Sequence, residues 1–246
     1  MRLKIIQKML YILLIYVLIG SILFFYQRKL IYFPTPIIPH VYENIQLTHN
    51  NIELNVIVLN KGKKEAIIYF GGNAEAVVYN APHFLDIFPD YTVYLINYRG
   101  YGGSTGQPNE KGFFSDALFL FDKVLIEHSK ISVVGRSLGS GVATFLASKR
   151  SVKKLVLITP FDSVTSLAQR KFIIFPVFLM LLDKYDSIIR VKDIKAEVNV
   201  IIADNDEVIS KAHSQRLIDE FDLHQISVNI ISDSGHNDIS EKEKYY

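Results

Sequence analysis

Six short apolar runs punctuate the chain from Glu65 onward: EAIIYF, TVYLINY, ISVVG, KKLVLIT, VNVIIA and SVNIIS. Nothing else in the sequence restricts the fold as much. A short, near-continuous apolar run bounded by turn residues predicts a strand buried on both faces. Helical periodicity fills some of the gaps. Residues 110–127 place Phe113, Phe114, Ala117, Leu118, Phe121 and Leu125 on one side, and LGSGVATFLASK follows ISVVG directly. Strands alternating with helices predict an α/β fold with a mostly parallel sheet and helices on both faces. Ahead of them, YENIQLTH and IELNVIVLN meet at Asn50-Asn51, which predicts a hairpin at one sheet edge. One stretch interrupts the alternation. Residues 160–197 are longer than a single crossover needs and contain FIIFPVFLMLL. Two expectations stand for it: a buried crossover helix, or a cap over a pocket that touches the membrane.

The N-terminus sets a second constraint. Met9 to Tyr26 reads MLYILLIYVLIGSILFFY without a charge. As a helix these residues would extend about 27 Å, close to the hydrocarbon thickness of a bilayer. A cleaved signal peptide would have a shorter apolar region followed by a small-residue cleavage site, whereas QRKLIYFPTP follows here. The expected organisation is a transmembrane anchor over 1–27, an extended Pro-containing linker over 28–40 and one domain over 41–246. Arg2, Lys4 and Lys8 precede the span, and Arg28 and Lys29 follow it. That bias favours a single-pass protein with its large domain on the non-cytoplasmic side.

Composition narrows the chemistry. The chain has no cysteine, which excludes disulfides, thiolate metal sites and a cysteine nucleophile. A net charge of +2 without a basic block offers no support for nucleic-acid binding.

In an open α/β sheet, ligands bind beyond the carboxyl ends of the strands. Three such ends carry reactive groups. Gly135-Arg136-Ser137-Leu138-Gly139 lies between a strand and a helix. A strand turning straight into a helix strains the central serine and leaves no room for side chains two positions away, so glycine is required there. IIADNDEV offers Asp206, with Asp204 as the alternative. Asp206 is preferred because Glu207-Val208-Ile209 is expected to open a helix. SDSGHND offers His236 after the last strand, whereas His40, His49, His83, His128, His213 and His224 have no comparable setting. Ser137, Asp206 and His236 follow one another in the order associated with a strand–serine–helix elbow. An oxyanion would need two donors: the backbone N–H of Leu138, and that of Asn73, or else Ala74, in the GGNA loop.

The motifs RKLIYFPTP, YFGGNAEAV, NYRGYGGSTG, GRSLGSGVA, PFDSV, NDEVIS and SGHND together give the chain a resemblance to the α/β-hydrolase superfamily. It is most similar to the membrane-anchored serine hydrolase branch, which includes acyl-protein depalmitoylases and uncharacterised bacterial members. The resemblance covers nearly the whole chain from Arg28. It implies Ser137 as nucleophile, Asp206 as acid and His236 as base. One departure stands out: the family often has His-Gly-Asn where this chain has Gly71-Gly72-Asn73, which removes one side-chain support of the oxyanion loop. Tyr98 and Arg99 of NYRGYGG are expected to brace the loop after their strand.

The expected activity is therefore a serine hydrolase of acyl esters or thioesters, with a lipid or acylated protein as substrate and no metal or organic cofactor. A serine peptidase of the same fold and a non-catalytic membrane-anchored binding protein are the rival expectations.

Overall fold

A computed structural model of the chain describes residues 2–241. Met1 of the expected anchor and residues 242–246 of the expected domain lie outside the described residues. Eight strands form one sheet: β1 Glu43–His49, β2 Ile52–Leu59, β3 Glu65–Phe70, β4 Tyr91–Ile96, β5 Lys130–Arg136, β6 Lys154–Ile158, β7 Glu197–Ala203 and β8 Ile226–Ile231. Their spatial order is β1-β2-β4-β3-β5-β6-β7-β8. β2 pairs antiparallel with β1 and β4, and every pair from β4 to β8 is parallel. At the β1–β2 hairpin Asn50 and Asn51 have φ of 50° and 60°, the left-handed pair that asparagine tolerates and that matches strand twist.

The helices are α1 Arg2–Ile31, α2 Ala81–Ile87, α3 Glu110–Glu127, α4 Leu138–Lys149, α5 Val164–Lys171, α6 Val177–Met180 and α7 Lys211–Ile218. α3 starts where Asn109 accepts the Gly112 N–H at 2.8 Å, a side-chain cap that satisfies one free helix donor. Two apolar clusters lie on the two faces of the sheet. One joins Ile68, Val133, Leu155 and Val200 to α3 and α4. The other packs Ile67, Tyr69, Val93 and Val134 under α2. Because β3 to β8 all run the same way, the loops after β3, β5, β7 and β8 all emerge at one sheet edge.

Two boundaries differ from expectation. The segment expected as a linker from residue 28 is helical to Ile31. Arg28 is held by Asp183 at 2.9 Å, and the Tyr32 N–H closes the last turn on the Arg28 carbonyl. Pro34 and Pro36 then exclude helix. The remainder of the linker is bonded to the domain rather than free, since Gly102 N–H donates to Thr35 O at 2.9 Å. The helix expected at Glu207 begins instead at Lys211. Asp206 Oδ1 accepts the Val208 and Ile209 N–H groups at 2.9 and 2.6 Å, a tight turn that comes before the helix.

The 160–197 segment is not one crossover helix. α5 ends at Lys171, Pro176 interrupts the apolar run, and α6 is a single turn before an irregular return through a 3₁₀ turn at Ile188–Asp193. Phe175, Val177 and Leu181 face inward, and Ile173, Ile174, Phe178 and Leu179 face outward.

Candidate active site

Ser137 stands at the β5–α4 junction with φ 50° and ψ −117°, a left-handed strained backbone. The flanking glycines have identifiable steric causes. A Cβ on Gly139 would lie 2.0 Å from the Phe70 carbonyl oxygen, and one on Gly135 would lie 2.4 Å from the Gly139 carbonyl oxygen. α4 therefore seats directly against the end of β3, with its N-terminal N–H groups and positive dipole end beside the serine.

His236 Nε2 is 2.9 Å from Ser137 Oγ, and His236 Nδ1 is 2.8 Å from Asp206 Oδ2. Both the imidazole and the Asp206 carboxylate are buried. The other Asp206 oxygen is occupied by the turn N–H groups, so one carboxylate both shapes its loop and meets the ring. Asp204, the alternative acid, is elsewhere: its Oδ1 accepts from Asn205 Nδ2 and the Ser234 N–H, at 2.8 and 3.2 Å. Glu207 Oε2 accepts the His236 N–H at 3.1 Å and holds the histidine loop.

The backbone N–H groups of Leu138 and Asn73 meet no acceptor among the described residues, and both residues line the cavity that contains Ser137. Ala74 does not line it. The Gly72 N–H is consumed by Glu75 Oε2 at 2.7 Å.

Glu75 was not singled out by the sequence. It accepts from Tyr69 Oη and Asn80 Nδ2, both at 2.6 Å, and from Arg136 Nη1 at 3.3 Å. Arg136 also donates to the His236 carbonyl at 3.2 Å, which joins the Gly71-Gly72-Asn73 loop to the histidine loop. The expected loss of support at Gly71 is answered here. A Cβ at Gly71 would sit 2.7 Å from Val77 Cγ1, so this loop has no space for a histidine, and Glu75 braces it from beneath. The only signal in the sequence was an acid inside the apolar run AEAVV. Tyr98 Oη donates to the Gly71 carbonyl at 2.8 Å, and burial keeps its hydroxyl far above the ordinary tyrosine value. Arg99 grips Asp116 with two bonds of 2.8 and 2.7 Å. Tyr98 thus braces the Gly71 loop and Arg99 ties its own loop to α3, rather than both bracing the loop after their strand.

His213 lies on α7 rather than in a loop that follows a strand. It is buried, its Nδ1 is 2.8 Å from Asp162 Oδ1, and it lines the same cavity. Asp162 belongs to the PFDSV motif and also accepts from Arg216 Nε at 2.7 Å. Burial alone would raise the Asp162 carboxyl, but the bonds from Arg216 and His213 leave it below the ordinary carboxylate value.

The cavity measures about 770 Å³. Its lining joins Ser137 and Leu138 to Leu167, Phe172 and Phe175 of the 160–197 segment and to Leu23, Phe24 and Ile31 of α1. Arg170, Lys171 and His213 supply polar positions on its lining. Among the described residues no group of three or more His, Asp or Glu is arranged to hold a metal ion.

Comparison with known proteins agrees with the topology. The family described as alpha/beta hydrolase fold matches residues 66–188. An uncharacterized protein of Mycobacterium tuberculosis is 31% identical over 241 residues, 89% of this chain and 84% of that protein. The lysophosphatidylserine lipase ABHD12 of Bos taurus is 34% identical over 110 residues, which is 40% of this chain and 27% of its own. Among solved structures, an esterase of Pyrococcus furiosus superposes with a TM-score of 0.65 at 17% identity, covering 87% of this chain and 92% of that one. Sheet order, glycine-flanked serine turn and matched sequence coincide, and this chain belongs to the α/β-hydrolase fold family.

Proposed function

We propose that the protein hydrolyses acyl esters or thioesters through Ser137, His236 and Asp206. The observation that carries this reading is the hydrogen-bonded run from Ser137 Oγ through His236 to Asp206, at 2.9 and 2.8 Å, on a strained elbow at the base of an apolar cavity. His236 Nε2 takes the Ser137 proton as Oγ attacks the acyl carbonyl. Asp206 holds the ring with Nδ1–H toward itself and stabilises the imidazolium that forms. The Leu138 and Asn73 N–H groups receive the oxyanion. The imidazolium returns its proton to the departing oxygen or sulfur, and the acyl group stays on Ser137. Water then enters, gives a proton to His236 and attacks the acyl-enzyme. Ser137 leaves with that proton and the acid is released.

The apolar walls favour a fatty acyl chain over a peptide, and the relative named as a lysophospholipid lipase points the same way. α1 supplies the anchor, and the charge bias across it supports a non-cytoplasmic site.

The test uses the full chain in detergent micelles, with a fluorophosphonate probe and p-nitrophenyl esters from acetate to palmitate. Wild type is expected to label and turn over, and Ser137→Ala to lose both, with activity down by at least about 10³-fold. Labelling that survives in Ser137→Ala would sink the assignment. A folded wild type that neither labels nor turns over would favour a binding role.

A further inference from the structure

We propose that the outer face of residues 172–182 is immersed in the lipid leaflet that α1 crosses, so that α1 and the cap together form a membrane-embedded wall of the acyl pocket. Ester chemistry enters this inference only for the identity of the substrate; the immersion itself needs no turnover.

The first observation is where the cap sits. Within α1 the buried residues are Gly20 and Gln27, and both lie against the cap. Phe175 stacks on Tyr16 with ring centroids 4.8 Å apart, and a Cβ on Gly20 would be only 3.4 Å from the Phe175 ring. Farther along α1, Gln27 meets Met180 and Leu182, and Arg28 meets Asp183. Tyr16 to Arg28 covers about 18 Å of helix axis, slightly more than half of a hydrocarbon core about 30 Å thick. With α1 across a bilayer, whatever touches Tyr16 and Gly20 is at acyl-chain depth.

The second observation is the chemistry of the cap's far side. Ile173, Ile174 and Leu179 are 77%, 68% and 72% exposed, with Phe178 and Leu182 beside them. An apolar patch this dense is costly in water and favourable in lipid. Cations bracket it: Arg170 and Lys171 come before it, Lys184 follows it, and Arg28 and Lys29 end the apolar stretch of α1. Arg28 is bonded to Asp183 at 2.9 Å, Lys184 Nζ donates to Phe178 O at 3.1 Å and Arg170 donates to Ser210 Oγ at 2.8 Å, so these charges are tied to the protein beside the patch while Lys29 and Lys171 complete the cationic border.

The third observation concerns the backbone. Irregular chain at membrane depth survives only where protein groups satisfy its N–H and C=O groups. The broken cap has such partners. Tyr16 Oη donates to Ile174 O at 2.9 Å, and Gln27 Nε2 donates to Met180 O at 3.2 Å. Leu182 N–H donates to Gln27 Oε1 at 2.7 Å. Gln169 donates to Phe175 O at 3.0 Å and accepts the Val177 N–H at 3.1 Å. The substrate class that follows is a membrane-resident acyl lipid entering sideways from the leaflet.

The chain has no cysteine, so single labels are unambiguous. Ile173→Cys and Leu179→Cys, each carrying bimane, would be studied in the full chain in phosphatidylcholine/phosphatidylglycerol nanodiscs. Leu13→Cys marks the span. Leu223→Cys, 88% exposed near the opposite sheet edge, marks the aqueous side. Nitroxide on the lipid acyl chain is expected to quench the cap labels severalfold more than label 223, with iodide doing the reverse. Cap labels quenched by iodide like label 223 would overturn the proposal. So would shielding from both quenchers, which would indicate a second copy or another protein on this face. A functional arm uses Leu179→Asp: hydrolysis of a bilayer-embedded long-chain ester should fall at least tenfold while a soluble acetate ester is unaffected, and equal loss on both would count against immersion. If the parent protein hydrolyses neither ester, the catalytic reading fails while the quenching result still decides the docking.

Discussion

At the residue scale, Glu75 explains how the Gly71-Gly72-Asn73 loop keeps its shape without a histidine at position 71. A half-buried carboxylate receiving a backbone N–H, a tyrosine hydroxyl, an amide and a guanidinium is costly to leave half-paired. Glu75→Gln replaces one acceptor oxygen with a donor amide that faces these donors. It is expected to lower kcat about tenfold with little change in KM, since a displaced N–H at Asn73, the proposed donor, would weaken contact with the developing oxyanion more than with the ground-state carbonyl. Steady-state kinetics on one ester series check this. Asp162 gives a pH prediction. Its folded carboxyl binds a proton less tightly than the unfolded one, so its contribution to stability is present above the ordinary value of 3.8 and is lost as pH falls through the lower folded value. Thermal melts from pH 7 to pH 3 should therefore show a steeper acid limb for wild type than for Asp162→Asn. Asp162→Asn should also melt lower at neutral pH, because Arg216 loses its ionised partner.

At the element scale, the β5–α4 elbow is the least tolerant junction. Gly139→Ala would drive a methyl into the Phe70 carbonyl, and α4 would have to leave the end of β3. The expected cost is about 3 kcal/mol or more, read as a fall in denaturation midpoint. The cap is held in another way. Gln27 bonds both Met180 and Leu182, so Gln27→Leu keeps α1 apolar but frees the irregular segment after α6. Limited proteolysis of detergent-solubilised protein should then cut within 172–187 severalfold faster than in wild type, with little change in cleavage elsewhere.

For the whole molecule, α1 is both an apolar helix of bilayer length and a wall of the pocket, since Leu23, Phe24 and Ile31 face the cavity that holds Ser137. Asn73 strengthens this union, because its side chain bonds Ile31 O at 2.5 Å and the Phe33 N–H at 3.0 Å. The end of α1 thus touches the same residue proposed as the second backbone donor. Full-length protein in nanodiscs is expected to prefer palmitoyl over acetyl esters. Leu23→Trp, which fills part of the facing wall, should shift the optimum toward shorter chains, measured as kcat/KM across the p-nitrophenyl series.

Local pattern was enough for much of this protein. Strand and helix periods predicted the parallel sheet, because alternation and apolarity respond to burial residue by residue. The glycines around Ser137 marked a sharp turn, because a Cβ there collides with chain only four residues away or with an adjacent strand end. Asp206 and His236 were legible because each follows a strand whose end lies at the same edge. The rest depended on contacts between distant segments. Tyr16 and Ile174 are 158 positions apart, and His213 and Asp162 are 51 apart. No period or spacing links such pairs, so the pocket walls, the Glu75 brace and the buried His213–Asp162 pair arose only when packing brought these segments together.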